Sequence, residues 1–304
     1  MTAGACRRAV GARARARGPE ESSLSNGTGD ATVAADRRDA AGRRSGTEAG
    51  GSRIFSMGDY TITPGEVRLW WTSVEESAPV VGSLQALLDE EDLQRAARFR
   101  VEAARHRFVT ARAMLRLILS RFTGVAPEHL SFVFGEHGKP RLETGGPCFN
   151  LAHSGDTVVV AAAGDHVGVD IEELRVLPNA DRLARRICTP QELETLLSLP
   201  EPSRNNALLR LWTAKEAVLK ALGSGLAGGM RRVEVMVDME GQPLLLRLHG
   251  EAAPWSLLPS PQPVSAVATV AVPRLSCRLL SRPFLWAEEL PRADRSPGIP
   301  RPRN

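Results

Sequence analysis

Residues 157–173 read TVVVAAAGDHVGVDIEE and contain two apolar runs separated by a short polar turn. The runs 157–163 and 167–172 are short and rich in valine, which favours strands over helices. Gly164 and Asp165 between them are typical of a tight turn. This stretch is therefore predicted to form a β-hairpin.

The second of these strands carries two acids on one face. Period-two alternation separates an apolar face from a polar one, which holds Gly168, Asp170 and Glu172. Neighbouring carboxylates repel each other, and a bound cation relieves that repulsion. Oxygen ligands at this spacing suit Mg²⁺, which also keeps water or phosphate in its shell. The alternative is a pair of solvated acids at a strand end, which the local pattern alone favours.

The rest of the pattern predicts an α+β fold, because both halves of the chain combine helices with antiparallel strands. Further strands are expected over residues 66–72, 130–134, 233–237, 244–248 and 266–272, and helices over 89–123, 190–199 and 205–222. Thr189 and Glu192 have the spacing of a capping box, and Gly223 suits a helix C-terminus. Pro200 and Pro202 are expected to break the chain between the last two helices.

Composition is that of an ordinary globular protein, with 304 residues, 42% hydrophobic and 24% charged. Residues 1–56 and 292–304 show neither a helical nor a strand period and are predicted to be disordered. No apolar run approaches the roughly 20 residues of a membrane-spanning helix, so we expect no membrane segment. The four cysteines match neither a zinc site nor a disulfide scaffold, which favours a reducing cytoplasm.

The net charge of +4 is weak information about partners. It is compatible with nucleic-acid binding, but an aromatic content of 5% leaves few stacking platforms, and no nucleic-acid motif is recognised. A basic pocket for a polyanionic small molecule, together with an acidic protein partner, explains the charge equally well. We therefore expect no nucleic-acid partner.

A second motif lies on the last predicted helix, where residues 212–220 read WTAKEAVLK. Residues four apart share a helix face, so Trp212, Glu216 and Lys220 form one stripe. Taken alone, this stripe is better explained as an exposed Glu-to-Lys pair.

Two further segments carry polar residues that suit phosphate binding. Residues 149–156, FNLAHSGD, are expected to form a polar turn in which His153, Ser154 and main-chain amides could approach a phosphate. Residues 138–140, GKP, and the arginine-rich helical segment 95–107 add positive charge. Each segment by itself is more often a solvated or structural feature.

The joint order of these motifs resembles the surfactin-synthetase-type 4′-phosphopantetheinyl transferases. The resemblance spans about residues 87–226 and rests on GKP at 138–140, FNLAHSG at 149–155, GVDIE at 168–172 and WTAKEA at 212–217. It implies transfer of the 4′-phosphopantetheine arm of coenzyme A to a serine of an apo acyl or peptidyl carrier protein, with release of 3′,5′-ADP. Ala152 departs from the family, which commonly has serine there, and removes one possible hydroxyl contact.

The resemblance also implies roles for individual residues. Asp170, Glu172 and Glu216 would bind Mg²⁺, and Glu216 and Lys220 would be catalytic, with Glu216 taking the serine proton directly or through water. The expected coenzyme A contacts are Arg95, Arg107, Lys139, Pro140, His153, Ser154, Asp170 and Lys220.

The family architecture implies two similar α+β halves, arranged as a pseudo-dimer with antiparallel sheets and the active site in the cleft between them. Residues 57–165 would form the half that supplies basic groups, and residues 166–291 the half that supplies the acids. A cytoplasmic monomer is expected. The alternative is a non-catalytic coenzyme A-binding regulator of the same fold, against which the intact set of acids argues.

Overall fold

The computed structural model describes residues 60–225, 229–237, 243–260 and 265–290. The segments 1–56 and 292–304, predicted to be disordered, lie outside these ranges. The strands are β1 (Glu66–Ser73), β2 (Phe132–Phe134), β3 (Pro140–Leu142), β4 (Cys148–Ser154), β5 (Thr157–Ala163), β6 (Gly168–Glu173), β7 (Val233–Val237), β8 (Pro243–Leu248), β9 (Ser256–Ser260), β10 (Ala266–Val272) and β11 (Arg278–Pro283). The helices are α1 (Val74–Ser77), α2 (Val81–Leu84), α3 (Glu90–Ala97), α4 (Glu102–Thr123), α5 (Ala180–Ile187), α6 (Pro190–Ser198), α7 (Glu201–Leu222) and α8 (Trp286–Glu289).

The first sheet has the strand order β11-β1-β5-β4, and α4 packs on one of its faces. Side chains of β5 alternate between two cores: Val158 and Val160 pack with α4, whereas Val159 and Ala161 pack toward the second sheet. Because both faces of β5 are buried, its sequence is a continuous apolar run.

The second sheet has the order β6-β10-β9, and α7 packs on β6 and β10. The two sheets bury a shared core in which Val169 and Ile171 of β6 meet residues of β1, β5 and β10. The opposite side of β6 carries Gly168 and Asp170 and faces α7. The predicted alternation along β6 is therefore confirmed, and the fold is α+β as predicted.

The predicted hairpin between residues 157–163 and 167–172 is wrong. Both edges of β5 are already paired, with β1 on one side and β4 on the other, so β6 pairs with β10 instead. The predicted polar turn at 149–156 is also wrong over most of its length, because residues up to Ser154 form β4. The turn itself is confined to Gly155 and Asp156, where Gly155 has φ 54°.

Strand β4 also runs beside β6, joined to it by side chains. Asn150 Oδ1 accepts a hydrogen bond from Val169 N at 2.8 Å, and Ser154 Oγ accepts one from Glu173 N at 3.0 Å. The two contacts are four residues apart on both strands, so β4 and β6 run in the same direction. This arrangement brings the end of β4 to the acidic end of β6.

The long helix predicted over residues 89–123 is interrupted at residues 98–101, which separate α3 from α4. Asp92 of α3 accepts hydrogen bonds from Arg112 at 2.7 Å and from Arg116 at 2.8 Å, both in α4. These ion pairs hold α3 against α4. A helical period along the sequence does not reveal such a fold-back, because the contacts that cause it span about 20 residues.

The predicted caps of α6 and α7 are confirmed. Thr189 and Glu192 form a capping box, and Gly223 ends α7 with φ 71°. Helix α7 begins at Glu201, earlier than predicted, because Pro202 lies in its first turn, where a missing N–H costs nothing.

Strand β11 returns to the first sheet and pairs with β1 in parallel, whereas the other main-chain ladders among the described strands are antiparallel. The division into segments 57–165 and 166–291 stays a prediction. Among the residues described, no helix is both long and apolar enough to cross a membrane.

Candidate active site

The site is built where α7 lies directly on β6, and Gly168 makes this approach possible. A Cβ at Gly168 would lie 2.0 Å from Ala217 O and 2.4 Å from Ala221 N, far closer than atoms can approach. Glycine therefore lets the helix backbone touch the strand. The result is that Glu216 and Lys220, on this part of α7, lie next to the acids of β6.

Asp170 is the most buried acid of the site, with 7% of its surface exposed. Its Oδ1 accepts a hydrogen bond from Lys220 Nζ at 2.6 Å, whereas Oδ2 is buried and has no hydrogen-bond partner among the residues described. Burial raises the pKa of Asp170 to about 7, and Glu216 and Glu172 add to the increase while Lys220 opposes it. A carboxylate with one unsatisfied buried oxygen is a strong acceptor for a cation or a proton.

Glu172 and Glu216, the two other predicted acids, lie close enough to Asp170 to affect its pKa. Burial raises the pKa of Glu216, Glu172 raises it further, and Lys220 lowers it. Glu172 Oε2 accepts hydrogen bonds from Ser154 Oγ and from Arg175, each at 3.2 Å. The structure thus brings together all three acids that the sequence motifs singled out.

Basic side chains lie at the same end of β4 and β6. His153 is exposed at the end of β4; partial loss of hydration lowers its pKa, and the nearby charges of Arg107 and Lys220 lower it further. Arg107 also donates a hydrogen bond to Gly155 O at 3.3 Å. Positive charge from α4 and α7 therefore converges on one region, as an anionic ligand requires.

Three other residues predicted to contact coenzyme A, namely Arg95, Pro140 and Lys139, lie outside β4, β6 and α7. Arg95, at the end of α3, has its guanidinium carbon 5.2 Å from the ring centre of Phe108, the neighbour of Arg107 in α4. Pro140 begins β3 and is half-buried. Lys139 Nζ donates hydrogen bonds to two main-chain carbonyls, those of Val167 and Ala221, and so contacts the elements that carry the acids.

A buried ion pair beside the site was not assigned a role from the sequence. Lys215 is fully buried and donates to Glu192 Oε2 at 2.7 Å, Val233 O at 2.7 Å and Met230 O at 3.1 Å. Burial lowers the pKa of Lys215, and Glu192 opposes that change. The capping-box pattern located Glu192, but a lysine within a helical motif carries no sequence mark of burial.

The acidic side chains of the site offer the oxygen donors that Mg²⁺ prefers. Among the residues described, no group of three or more His, Cys, Asp or Glu side chains already has the arrangement of a metal site. The unsatisfied Oδ2 of Asp170 and the mutual effects of three carboxylates nevertheless fit a hard cation with oxygen ligands. The residue types fit Mg²⁺, although the carboxylates do not converge on one point.

Comparisons with known proteins identify the family. The model of the 4′-phosphopantetheinyl transferase superfamily matches residues 166–271, and that of the 4′-phosphopantetheinyl transferase N-terminal region matches residues 71–165. The chain is 35% identical over 219 residues to the 4′-phosphopantetheinyl transferase HetI of Nostoc sp., covering 70% of this chain and 90% of HetI. It therefore belongs to the 4′-phosphopantetheinyl transferase family, as its motifs predicted.

Two further relatives agree with this assignment. The protein slr0495 of Synechocystis sp. is 38% identical over 159 residues, which cover 51% of this chain and 65% of slr0495, slightly less than two thirds. The 4′-phosphopantetheinyl transferase psf-1 of Bacillus pumilus is 31% identical over 175 residues, covering 57% of this chain and 74% of psf-1.

Proposed function

We propose that this protein transfers the 4′-phosphopantetheine arm of coenzyme A to a serine of an apo acyl or peptidyl carrier protein. The observation that carries the proposal is the partly buried contact of 2.6 Å between Asp170 and Lys220, with Glu172 and Glu216 beside it. Transferases named for this reaction among the relatives support it over a non-catalytic coenzyme A binder. Transfer assays with carrier proteins from fatty-acid, polyketide and nonribosomal-peptide synthesis would identify the carrier that is used.

In the proposed reaction, the serine oxygen attacks the β-phosphorus of coenzyme A. A new P–O bond forms as the bond to the α-phosphate oxygen breaks, and 3′,5′-ADP leaves. Glu216 accepts the serine proton directly or through water, a role that a positioned carboxylate can fill. Lys220 places positive charge beside the phosphates and stabilises the charge that builds on the leaving group.

Asp170, Glu172 and Glu216 are the residues proposed to hold Mg²⁺. When bound, the ion would neutralise phosphate charge and fix the diphosphate. In the protein itself, Asp170 also contacts Lys220, and Glu172 also contacts Ser154. The proposed contacts to coenzyme A are Arg95, Arg107, Pro140, His153, Ser154, Asp170 and Lys220. Lys139, which the resemblance also implies, donates instead to two main-chain carbonyls. We also propose that the protein is a cytoplasmic monomer and that the boundary between its two halves along the chain lies near Asp165.

Kinetics of two variants tests these roles. Glu216→Gln removes the base and should lower the rate of 3′,5′-ADP release at saturating coenzyme A. Lys220→Ala should lower kcat more than it raises KM for coenzyme A, because the lysine acts on the leaving group. Full transfer by Glu216→Gln would contradict the assigned base, and a pure KM effect of Lys220→Ala would make that lysine a binding residue.

A further inference from the structure

The sequence contains three lysines among 39 basic residues, and all three lie among the residues described. Lys220 contacts Asp170, and Lys215 is enclosed with Glu192. Lys139 lies between β2 and β3, outside both elements that carry the proposed catalytic groups. Its side chain nevertheless reaches β6 and α7 at once.

The contacts of Lys139 join the start of one element to the end of the other. Its Nζ donates to Val167 O at 2.9 Å and to Ala221 O at 2.8 Å. Val167 immediately precedes β6, and Ala221 lies in the last turn of α7. Carbonyls in the last turn of a helix lack intrahelical partners, and a cation there is favourable. Gly223, which ends α7, leaves room for this lysine, since a Cβ there would lie 3.2 Å from its Cδ.

The joined segments are those that set the central contact of the site. Asp170 lies three residues beyond Val167, and Lys220 immediately precedes Ala221. A shift of the last turn of α7 along β6 would therefore change the distance of 2.6 Å between Asp170 and Lys220. Gly168 carries no side chain at this crossing, and Lys139 supplies a hydrogen-bonded link between the two backbones there.

We propose that Lys139 is a positioning residue for phosphopantetheine transfer, because its ammonium holds the last turn of α7 against β6. The proposal rests on the proposed function for its kinetic test. It differs from a contact with the 3′-phosphate of coenzyme A, the role that the family resemblance implies for this lysine.

The chemistry of the side chain separates the two roles. An ammonium is compact and carries three N–H donors in a tetrahedral arrangement, whereas a guanidinium is a planar fork. Two carbonyl oxygens from different elements, both within 3 Å of one nitrogen, suit the ammonium. Lys139→Arg thus keeps the charge that a phosphate needs but loses the geometry that the two carbonyls need.

The test compares coenzyme A with dephospho-coenzyme A, which lacks the 3′-phosphate, as substrates of the full chain. For Lys139→Met we expect kcat to fall about 10- to 100-fold with both substrates, because small misplacements of catalytic groups cost this much. The ratio of the two KM values should not change. Lys139→Arg should also lower kcat, and Arg141→Met, which removes an exposed positive charge from the same hairpin, should not.

Two kinetic results would overturn the proposal. One is a higher KM for coenzyme A with unchanged kcat, together with loss of the preference over dephospho-coenzyme A; this result would assign Lys139 to the 3′-phosphate. The other is wild-type kcat per folded protein with a lower Tm, which would leave the lysine a purely stabilising role.

A measurement without turnover keeps the proposal testable whatever the activity of the protein. Hydrogen exchange of residues 219–223 should be faster in Lys139→Met and Lys139→Arg than in the wild type and in Arg141→Met. Unchanged exchange in this turn would overturn the proposal. The transfer rate of the wild type tests the proposed function, whereas hydrogen exchange in the variants tests the role of Lys139. Either proposal can therefore fail without the other.

Discussion

Substitution of Gly168 by alanine is expected to push α7 away from β6. The added Cβ would lie 2.0 Å from Ala217 O, whereas a carbon and an oxygen in contact stay roughly 3.3 Å apart. The helix must therefore move by roughly 1.3 Å, since the obstacle is backbone and cannot rotate away. Such a shift separates Lys220 from Asp170, and a misplacement of about 1 Å can cost roughly 100-fold in rate.

The assay is the rate of carrier modification at saturating coenzyme A, together with thermal unfolding. We expect a kcat about 100-fold lower and a destabilisation of about 1–3 kcal/mol from overpacking. Gly164→Ala is the matched control, because a Cβ there meets its nearest atom, Ile62 Cγ2, at 3.8 Å. Wild-type kcat in Gly168→Ala would refute the claim that close packing of α7 on β6 sets the site.

Three further substitutions test the surroundings of the site. Lys215→Met leaves the buried Glu192 carboxylate without its cation, although Thr189 N and Val235 N still donate to it. It should lower the free energy of unfolding in urea by about 3–5 kcal/mol, and an unchanged midpoint would contradict the buried pair. Asp170→Asn should gain stability relative to the wild type as the pH rises from about 3 to about 8 in EDTA, because folding raises the pKa of Asp170 from 3.8 to about 7 and the wild type loses stability between these two values. Parallel pH profiles of Tm would contradict that shift. Asn150→Leu leaves Val169 N without its acceptor and should cost about 1–3 kcal/mol in the same urea assay, whereas Asn150→Asp should recover part of it; equal losses would show that the hydrogen bond is not the cause.

Local patterns predicted those parts of the fold that local chemistry decides. The cap of α6 follows from the side chains of Thr189 and Glu192, which satisfy backbone groups a few residues away. Gly223 ends α7 because it adopts a positive φ at little cost. Alternation along β6 correctly placed Asp170 and Glu172 on the side of α7.

The wrong predictions concern places where segments distant in sequence decide the structure, either by pairing with a strand edge or by forming an ion pair. The turn at Gly164 and Asp165 permits a hairpin, but β1 and β4 occupy both edges of β5. The break between α3 and α4 depends on Asp92, whose arginine partners lie about 20 residues away.

The position of Lys139 illustrates the same limit within the site. Its motif gave the sign of the charge but not its acceptors, which are carbonyls 28 and 82 residues further along the chain. The burial of Lys215 was equally unpredictable from the sequence, because periodicity does not distinguish an exposed lysine from a buried one.

The most direct test of the central claim is the intact mass of a purified apo carrier protein incubated with this protein, coenzyme A and Mg²⁺, beside an EDTA control. We predict a gain of about 340 Da, the mass of the phosphopantetheine arm, that EDTA abolishes. Absence of any gain across acyl and peptidyl carriers, in a protein that still binds coenzyme A, would contradict transfer and favour a non-catalytic coenzyme A-binding protein.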